Sequence, residues 1–362
     1  MAFINSYESC SCAGNTQELM NAIYSKSTKI TLDTSYIKEC SVGLGKMKNS
    51  DFFEVLNNTT DKVLKKSNLK NFNDSLLIVG SSIGGMKASE KHYFKDNNYK
   101  NIDHSKHAIS VIQDFLNDKF NFLYTRSIST ACTSSGNALL LAKRLIDIGA
   151  YKNILVVGAD SLCYTTVCGF HALGVLSSKP CTPFDKDREG MNVAEAVAVV
   201  LLQDSSYKSN VELLGVGASS DACHMTNPDP KAKGAISSMQ KAIQDAGIGL
   251  CDVDYINAHG TGTLANDRVE ALAIQTLFKN TPVSSTKAVT GHTLGASSLL
   301  EGIISCEVIK QNKLPPQTGL LDAENQNINT IKETVQREIS FVLSNSFAFG
   351  GNNISLVIGV RK

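Results

Sequence analysis

Short apolar runs alternate along this chain with segments whose apolar residues recur at helical spacing, and this alternation constrains the fold most strongly. Continuous apolar runs predict strands buried on both faces, as in parallel sheets covered by helices. Strands are predicted at residues 3–7, 75–80, 120–124, 153–160, 195–202, 211–217, 253–258, 282–285, 339–344 and 354–360. Helices are predicted at residues 15–25, 138–148, 235–246, 267–278 and 294–311. The polar residues 43–75 are expected to form an exposed helical excursion. The pattern indicates an α/β protein.

The order of a turn, a helix and a strand pair recurs along the chain, once after Cys132 and again after His292. Such a recurrence indicates two structurally similar halves. We predict an N-terminal half at residues 1–210 that contains Cys132. A C-terminal half at residues 211–362 would contain His259 and His292, and the two would pack as one compact unit.

Charge and the N-terminal segment limit the classes of function. Lys and Arg number 35 against 34 Asp and Glu, a net charge of +1, so no overall charge excess favours nucleic acid or an anionic membrane. The N-terminus has neither a basic segment nor a sustained apolar core, and no run is long enough for a membrane span. We expect a cytoplasmic protein. The glycine-rich turn at residues 81–85 lacks the residues of a nucleotide-binding loop.

The ten cysteines are scattered, without the spacing of a zinc site or a Cys-x-x-Cys pair. We expect most of them to be reduced core residues and expect no metal ion. A metal site could be argued only from Cys10 with Cys12, or from Cys163 with Cys168.

One cysteine occupies a position suited to chemistry. Cys132 lies just before a predicted helix, among small residues at positions 131, 134, 135 and 136. The unpaired N–H groups and positive dipole end of a helix N-terminus favour thiolate over thiol, and small neighbours leave room for a thioester. Cys132 is therefore a candidate acyl-accepting nucleophile. A small buried cysteine that packs like alanine is the alternative, and this stretch alone does not decide between them.

Two histidines also stand where predicted strands end. His259 enters a glycine-rich turn, where a core histidine is the other interpretation, and His292 comes five residues after Lys287. A neighbouring ammonium and a helix N-terminus both disfavour imidazolium, so we expect His292 to be neutral and able to donate. Glu301 is a candidate partner for Lys287, and an exposed helical charge is the alternative.

The turn between the last two predicted strands contains Gly350 and Gly351. Glycines there allow the backbone to approach a ligand closely and expose N–H groups to an oxyanion. A plain hairpin is the alternative interpretation.

Five segments together resemble the β-ketoacyl-acyl-carrier-protein synthases of the elongating Cys-His-His type. They are Ala-Cys-Thr-Ser-Ser (131–135), Pro-Phe-Asp-Lys-Asp-Arg-Glu-Gly (183–190), Asn-Ala-His-Gly-Thr-Gly-Thr (257–263), Ser-Thr-Lys (285–287) with Gly-His-Thr-Leu-Gly-Ala (291–296), and Asn-Ser-Phe-Ala-Phe-Gly-Gly (345–351). They occur in the order typical of that family. The resemblance implies a thiolase-like fold, in which duplicated α/β halves form a layered α-β-α-β-α architecture. It implies an acyltransferase that extends acyl chains by decarboxylative Claisen condensation, in fatty acid, polyketide or aryl polyene synthesis.

The resemblance also implies roles for the reacting groups. Cys132 would take the acyl chain from acyl carrier protein as a thioester, with its own N–H and that of Phe349 as the oxyanion hole. His259 and His292 would polarise the malonyl thioester carbonyl as carbon dioxide leaves. Phe349 would act as a gate that opens when Cys132 is acylated.

Supporting roles follow from the same resemblance. Lys287 would hold the histidines electrostatically, with Glu301 as its partner. Thr261 and Thr263 would contact pantetheine, and Phe347 would line the substrate site. No cofactor is expected beyond the phosphopantetheine of acyl carrier protein.

The sequence departs from the family pattern in three places, and the chain is shorter than typical elongating synthases. Residues 194–196 are Ala-Glu-Ala where Gly-Glu-Gly is usual, Ala348 replaces a glycine, and Asn352 replaces a threonine. We expect these changes to alter local backbone geometry or the gating loop, not the nucleophile.

Acyl carrier protein is the partner that the resemblance implies, together with a homodimer formed by pairing strands such as residues 153–160 across a two-fold axis. Residues 161–166 and 220–225 resemble the branch that builds aryl polyenes. In that branch a heterodimer with a cysteine-less chain-length factor is an alternative.

Two other functions are alternatives to condensation. A thiolase shares the fold but needs a second cysteine late in the chain, and the last cysteine here is Cys306. A non-catalytic subunit resembling a chain-length factor predicts loss of the nucleophile or of a histidine, and Cys132, His259 and His292 are all present.

Overall fold

The structure is a computed structural model that describes residues 1–49, 51–67, 69, 72, 74–100, 102–207, 209–221 and 223–361. The described strands are β1 (Ala2–Ser11), β2 (Gly14–Asn15), β3 (Thr31–Asp33), β4 (Val42–Gly45), β5 (Leu76–Gly80), β6 (Tyr124–Ile128), β7 (Asn153–Asp160), β8 (Val193–Ala194), β9 (Ala196–Gln203), β10 (Glu212–Ser220), β11 (Tyr255–Asn257), β12 (Pro282–Ser284), β13 (Lys313–Leu314), β14 (Asn329–Thr330), β15 (Val335–Gln336), β16 (Phe341–Phe347) and β17 (Asn352–Gly359).

The described α-helices are α1 (Thr16–Tyr24), α2 (Phe52–Lys66), α3 (Met86–Asp96), α4 (Val111–Phe120), α5 (Ser134–Asp147), α6 (Tyr164–Ala172), α7 (Lys233–Ala246), α8 (Leu264–Leu277), α9 (Lys287–Thr290) and α10 (Ser297–Gln311). Short 3₁₀ helices span His104–Lys106, Leu250–Asp252 and Leu294–Ala296. Helix α1 shows how local sequence sets these bounds, because its N-cap Asn15 and Glu18 form the reciprocal pair of a capping box.

The two halves of the chain repeat one strand order. The N-terminal half runs β6-β5-β7-β9-β1 across the sheet, and the C-terminal half runs β12-β11-β16-β17-β10. In each half the first three strands are mutually parallel, and the last two pair antiparallel. The halves join where Ala2 pairs with Leu213 and Phe3 with Glu212. The duplication predicted from the recurrence after Cys132 and His292 is therefore a repeat of topology.

Helices α5 and α10 lie between the halves and contact strands of both. Helix α10 is apolar on nearly all sides, and every residue from Ser297 to Ile309 is buried, as expected of a helix inside a core. Helices α2 and α4 cover the outer face of the N-terminal half, and α7 with α8 covers the outer face of the C-terminal half. Three core clusters fill the spaces between these layers. The predicted α-β-α-β-α architecture is confirmed.

Some local predictions were wrong. Residues 120–124 were predicted as a strand, but helix α4 ends at Phe120 and the strand is β6. Residues 43–75 are not an exposed excursion, because α2 buries Phe52, Leu56 and Val63 against β1 and β9. Within that segment, residues 50, 68, 70, 71 and 73 lie outside the described part of the chain. Helices α3, α4, α6 and α9 were not predicted.

The strand proposed for pairing across a two-fold axis is also corrected. Strand β7 pairs with β5 on one side and β9 on the other, and all eight of its residues are buried. It therefore has no free edge for a second subunit. Strand β6 lies at one end of the sheet and β14 at the other. Strand β6 pairs with β5 alone among the described strands and leaves Tyr124 49% exposed.

Candidate active site

Cys132 lies in a tight turn immediately before α5. Ala131 has a φ of 52°, a left-handed conformation that residues with a side chain rarely adopt. Its carbonyl oxygen accepts hydrogen bonds from Ser82 Oγ at 2.8 Å and Ser134 Oγ at 2.6 Å, which hold the turn. The turn places Cys132 at the amino end of a helix inside the protein, 8% exposed.

Burial raises the pKa of the Cys132 thiol to about 12. The Lys287 ammonium and the backbone N–H groups of Cys132 and Phe349 act in the opposite direction, towards the thiolate, but loss of hydration outweighs them. The expectation that the helix N-terminus makes thiolate the favoured resting form is therefore wrong. The same two N–H groups converge on the sulfur, where they can hold an oxyanion.

His292 faces Cys132 from the other half of the chain. Its Nε2 lies 3.1 Å from Cys132 Sγ, and its Nδ1 accepts the backbone N–H of Leu294 at 3.2 Å. Because Nδ1 accepts, the proton of the neutral ring is on Nε2 and points at the sulfur. Burial and then the nearby Lys287 ammonium hold the pKa of His292 well below its usual range. The ring is a neutral donor.

His259 stands beside His292, with ring centroids 5.2 Å apart and planes at 89°. Lys287 Nζ lies 3.2 Å from His259 Nδ1 and forms a buried ion pair with Glu301. An ammonium offers only donors, so Nδ1 of His259 accepts and its Nε2 carries the proton. Burial, then Lys287, then His292 lower the pKa of His259 well below its usual range. The structure thus fixes the same tautomer in both histidines.

Glu270 supports this site and was missed by sequence reasoning. Its carboxylate accepts the backbone N–H groups of His259 at 2.8 Å and Gly260 at 2.7 Å, and the side-chain amide of Asn345 at 3.2 Å. Burial raises its pKa to about 7. A signal was present, because Glu270 and Asp267 share the face of α8 that carries the buried Ile274. Acidic residues on the apolar face of a helix are rarely left without a partner.

A cavity of about 370 Å³ opens over Cys132, His259 and His292. Its lining includes Thr261 and Thr263, whose hydroxyl oxygens lie 2.9 Å apart. The aromatic and aliphatic part of the lining is formed by Phe170, Leu173, Val175, Met191, Leu264, Phe347 and Phe349. The cavity therefore combines an apolar wall with a pair of hydroxyl groups beside the two histidines.

Two phenylalanines line the cavity, Phe347 at the end of β16 and Phe349 in the turn that follows it. The Phe347 ring centroid lies 6.0 Å from that of His259, and the half-buried Phe349 ring lies 5.9 Å from Phe170. Gly350 and Gly351 follow with φ of 82° and 78°, which a side chain would strain. The turn is not a plain hairpin, because it delivers the Phe349 N–H to Cys132.

The departures from the family pattern fit the local backbone. Ala194, Ala196, Ala348 and Asn352 all avoid positive φ. Glu195, between the two alanines, accepts the backbone N–H groups of Met47 at 2.9 Å and Leu162 at 3.1 Å. No glycine conformation is required at these positions.

Other candidates from the sequence lie away from the site. Cys306 is buried in α10 and does not line the cavity. All ten cysteines are free thiols, and no group of three or more His, Cys, Asp or Glu in the described part of the chain could hold a metal ion. No described helix has the length and apolar character needed to cross a membrane. Within residues 220–225, position 222 lies outside the described residues.

Comparison with known proteins adds independent findings. The family model for the beta-ketoacyl synthase N-terminal domain matches residues 47–207, and that for the C-terminal domain matches residues 211–320. The chain is 36% identical to 3-oxoacyl-[acyl-carrier-protein] synthase 2 of Coxiella burnetii, over 78% of this chain and 74% of the relative. It is also 36% identical to the synthase 2 of Rhizobium meliloti, over 64% of this chain and 60% of the relative's length.

Solved structures agree over the whole fold. The ketosynthase ApeO, in complex with its chain length factor ApeC from Xenorhabdus doucetiae, is 29% identical with a TM-score of 0.90, covering 99% of this chain and 98% of that chain. A beta-ketoacyl synthase from Burkholderia phymatum is 23% identical with a TM-score of 0.89, covering 100% and 99%. The second likeness concerns the fold alone.

Proposed function

The chain belongs to the β-ketoacyl synthase family, and from this premise we propose that it is a β-ketoacyl-[acyl-carrier-protein] synthase. Its reaction is the decarboxylative Claisen condensation of an acyl thioester on Cys132 with malonyl-loaded acyl carrier protein. The observation that carries this proposal is the 3.1 Å contact between His292 Nε2 and Cys132 Sγ, beside a second histidine held in the same tautomer. One thiol and two neutral N–H donors are the groups that the condensation needs.

In the first half-reaction, the Cys132 sulfur attacks the carbonyl carbon of an acyl thioester carried on phosphopantetheine. The N–H groups of Cys132 and Phe349 hold the negative charge that develops on the carbonyl oxygen. Collapse of the intermediate breaks the bond to the pantetheine sulfur, which leaves with the proton of the Cys132 thiol. The acyl chain stays on Cys132 as a thioester.

In the second half-reaction, the carbonyl oxygen of the malonyl thioester accepts hydrogen bonds from Nε2–H of His259 and of His292. These donors stabilise the enolate that forms as carbon dioxide leaves. The enolate carbon attacks the acyl carbonyl on Cys132, and collapse releases the β-ketoacyl product and the Cys132 thiolate, which then takes up a proton. Neither histidine needs to become charged, in accord with their lowered pKa values.

The remaining site residues hold this arrangement or the substrate. Lys287, paired with Glu301, fixes the acceptor role of His259 Nδ1. Thr261 and Thr263 contact the pantetheine arm at the cavity wall, and Phe347 packs beside His259 and lines the substrate cavity. Phe349 is the gate that moves when Cys132 carries an acyl chain.

Acyl carrier protein and a second subunit are the proposed partners. The relatives of known function are named for acyl carrier protein, and ApeO is in complex with a chain length factor. For pairing of strands across a two-fold axis, β6 offers an edge of the sheet, whereas β7 does not. Residues 161–166 and 220–225 support the aryl polyene branch as the pathway.

The proposal is tested by intact mass spectrometry of the purified protein and its Cys132→Ala variant after incubation with acyl-loaded and malonyl-loaded carrier protein. We expect an acyl adduct on the wild type alone, followed by chain extension on the carrier. A folded wild-type protein that gains no adduct and extends no chain, alone and with a chain-length factor added, would favour the non-catalytic subunit.

A further inference from the structure

Asp160 ends β7 beneath the site, and the residue is 1% exposed. Its Oδ1 accepts hydrogen bonds from Ser81 Oγ at 2.6 Å and from the backbone N–H groups of Ser82 at 3.0 Å and Ile83 at 2.9 Å. Its Oδ2 accepts the backbone N–H of Gly295 at 2.7 Å. No ion pair involves this carboxylate within the described residues, so hydroxyl and backbone donors alone hold it.

Hydrogen bonds connect Asp160 to the turn that carries Cys132. Ser82, whose N–H binds Asp160, donates its own hydroxyl to the carbonyl oxygen of Ala131 at 2.8 Å. Ala131 is the left-handed residue that immediately precedes Cys132. A single chain of hydrogen bonds therefore runs from Asp160 to the strained turn that presents the sulfur.

A second hydrogen bond connects Asp160 to the turn that carries His292. Gly295, whose N–H also binds Asp160, follows Leu294, which has a φ of 54°. The Leu294 N–H donates to Nδ1 of His292 at 3.2 Å, and the Ser297 hydroxyl lies 3.1 Å from the same nitrogen. A Cβ on Gly295 would lie 2.7 Å from Asp160 Oδ2 and equally close to Ser82, so the two turns meet at this carboxylate without room for a side chain.

We propose that Asp160 is a positioning residue that sets the distance between Cys132 Sγ and His292 Nε2 by clamping the turns that carry them. It touches neither the substrate nor the reacting atoms. Both clamped residues, Ala131 and Leu294, have conformations that cost free energy, so the surrounding hydrogen bonds must hold them. Only the turnover measurements that test this inference depend on the proposed condensation.

The experiment compares three variants. Asp160→Asn keeps the shape of the side chain but places an amide N–H₂ group among N–H donors. That group cannot accept their hydrogen bonds. Ser82→Ala removes only the hydroxyl that holds Ala131. Glu307→Gln is the matched control, because Glu307 is a buried carboxylate that accepts Tyr7 Oη at 2.7 Å and Gln311 Nε2 at 2.7 Å, outside the cavity lining. Melting temperatures establish that each variant is folded at the assay temperature.

We expect kcat for condensation to fall about 100-fold in Asp160→Asn and about tenfold in Ser82→Ala, because small misplacements of reacting groups are costly. KM for malonyl-loaded carrier protein should stay within about threefold, as should both constants in Glu307→Gln. A folded but merely weakened protein would not show this split between kcat and KM.

Alkylation of Cys132 by iodoacetamide at constant pH separates this inference from the proposed function, because it needs no substrate. We expect the rate to rise in Asp160→Asn, where a charge that disfavours the thiolate is removed, and to change also in Ser82→Ala, where no charge is lost but the turn at Ala131 loses a donor. It should change little in Glu307→Gln. If the wild type fails to condense but the alkylation rate changes in Ser82→Ala and not in Glu307→Gln, the condensation proposal falls and the positioning role stands. If kcat and alkylation in Asp160→Asn and Ser82→Ala match the control, the clamp is wrong.

Discussion

His292 Nε2 lies 3.1 Å from Cys132 Sγ although 160 positions separate the two residues in sequence. The repeated strand order explains the meeting. Cys132 follows β6 and His292 follows β12, which are equivalent strands of the two halves. His259 follows β11. The equivalent strand in the N-terminal half is β5, and the turn after β5 contains Ser82. Duplication thus brings two copies of one strand-end position face to face, with a different reacting group on each.

The resting form of Cys132 is the thiol, and its reactivity should reveal this. Because burial raises the pKa to about 12, the thiolate fraction should keep growing through the alkaline range. We expect the logarithm of the iodoacetamide alkylation rate to rise with a slope near one from about pH 7 to about pH 10. Intact mass spectrometry measures the rate, and Cys132→Ala corrects for the exposed Cys223 and Cys251. A plateau near neutral pH would contradict the raised pKa.

Variants of the Lys287–Glu301 ion pair should affect stability and activity differently. Lys287→Met leaves the Glu301 carboxylate buried without its partner, so the free energy of unfolding should fall by about 3–5 kcal/mol. Adding Glu301→Gln removes the stranded charge and should restore most of that loss. Condensation should remain impaired in the double variant, because nothing then donates to His259 Nδ1.

Denaturant unfolding and turnover, measured on both variants, check this prediction. Equal stability of the single and the double variant would show that the charge of Glu301 is not what Lys287 offsets. Recovery of turnover in the double variant would show that the lysine is not needed to fix the tautomer of His259.

Glu270 should give the protein a recognisable pH dependence of stability. Its pKa rises from 4.5 to about 7 on folding, so the folded state binds this proton more tightly than the unfolded chain does. The stability it contributes is therefore full below about pH 4.5 and is lost as the pH rises through about 7. Relative to Glu270→Gln, the wild type should lose about 3 kcal/mol of unfolding free energy between about pH 4.5 and about pH 8.

Comparing the wild type with Glu270→Gln separates the pH-dependent contribution of Glu270 to stability from that of the histidines. His259 and His292 have lowered pKa values, so their contribution to stability is present above about pH 6.5 and is lost as the pH falls. They are common to both proteins and cancel in the difference. A difference that does not change with pH would show that its three N–H donors keep Glu270 ionised at an ordinary pKa.

The sequence predicted most of the fold and the reacting groups because both leave local marks. Apolar runs identify most strands wherever they fall in the sheet, and His259 directly follows such a run. The run before Cys132 misplaced its strand, because β6 contains Thr125, Arg126 and Ser127 and begins where that run ends. Strand order leaves no comparable mark, which is why β7 was assigned to a subunit interface although it lies between β5 and β9.

The hydrogen-bond partners of the supporting carboxylates could not be predicted for a related reason, although the apolar face of α8 marks Glu270 as a residue that needs a partner. Asp160 and Glu270 bind backbone N–H groups, which every residue except proline possesses, so nothing in the sequence names their partners. The thiol form of Cys132 could not be predicted either. The position of a residue before a helix can be read from the sequence, but the loss of hydration of its side chain depends on the whole packed core.

The two threonines of the cavity wall should govern substrate binding more than chemistry. Thr261 and Thr263 pair through their hydroxyl oxygens at 2.9 Å and line the cavity, and no hydrogen bond joins either hydroxyl to Cys132 or His292 within the described residues. Valine preserves their shape and removes one neutral hydrogen bond, worth about 0.5–1.5 kcal/mol. For Thr263→Val we therefore expect KM for malonyl-loaded carrier protein to rise about three- to tenfold with kcat within about twofold. Thr276→Val in α8, the helix that begins after Thr263, is the control, because Thr276 is exposed and its hydroxyl donates to the carbonyl oxygen of Leu272 outside the cavity lining. A fall in kcat at constant KM would instead place Thr263 with the groups that orient His259.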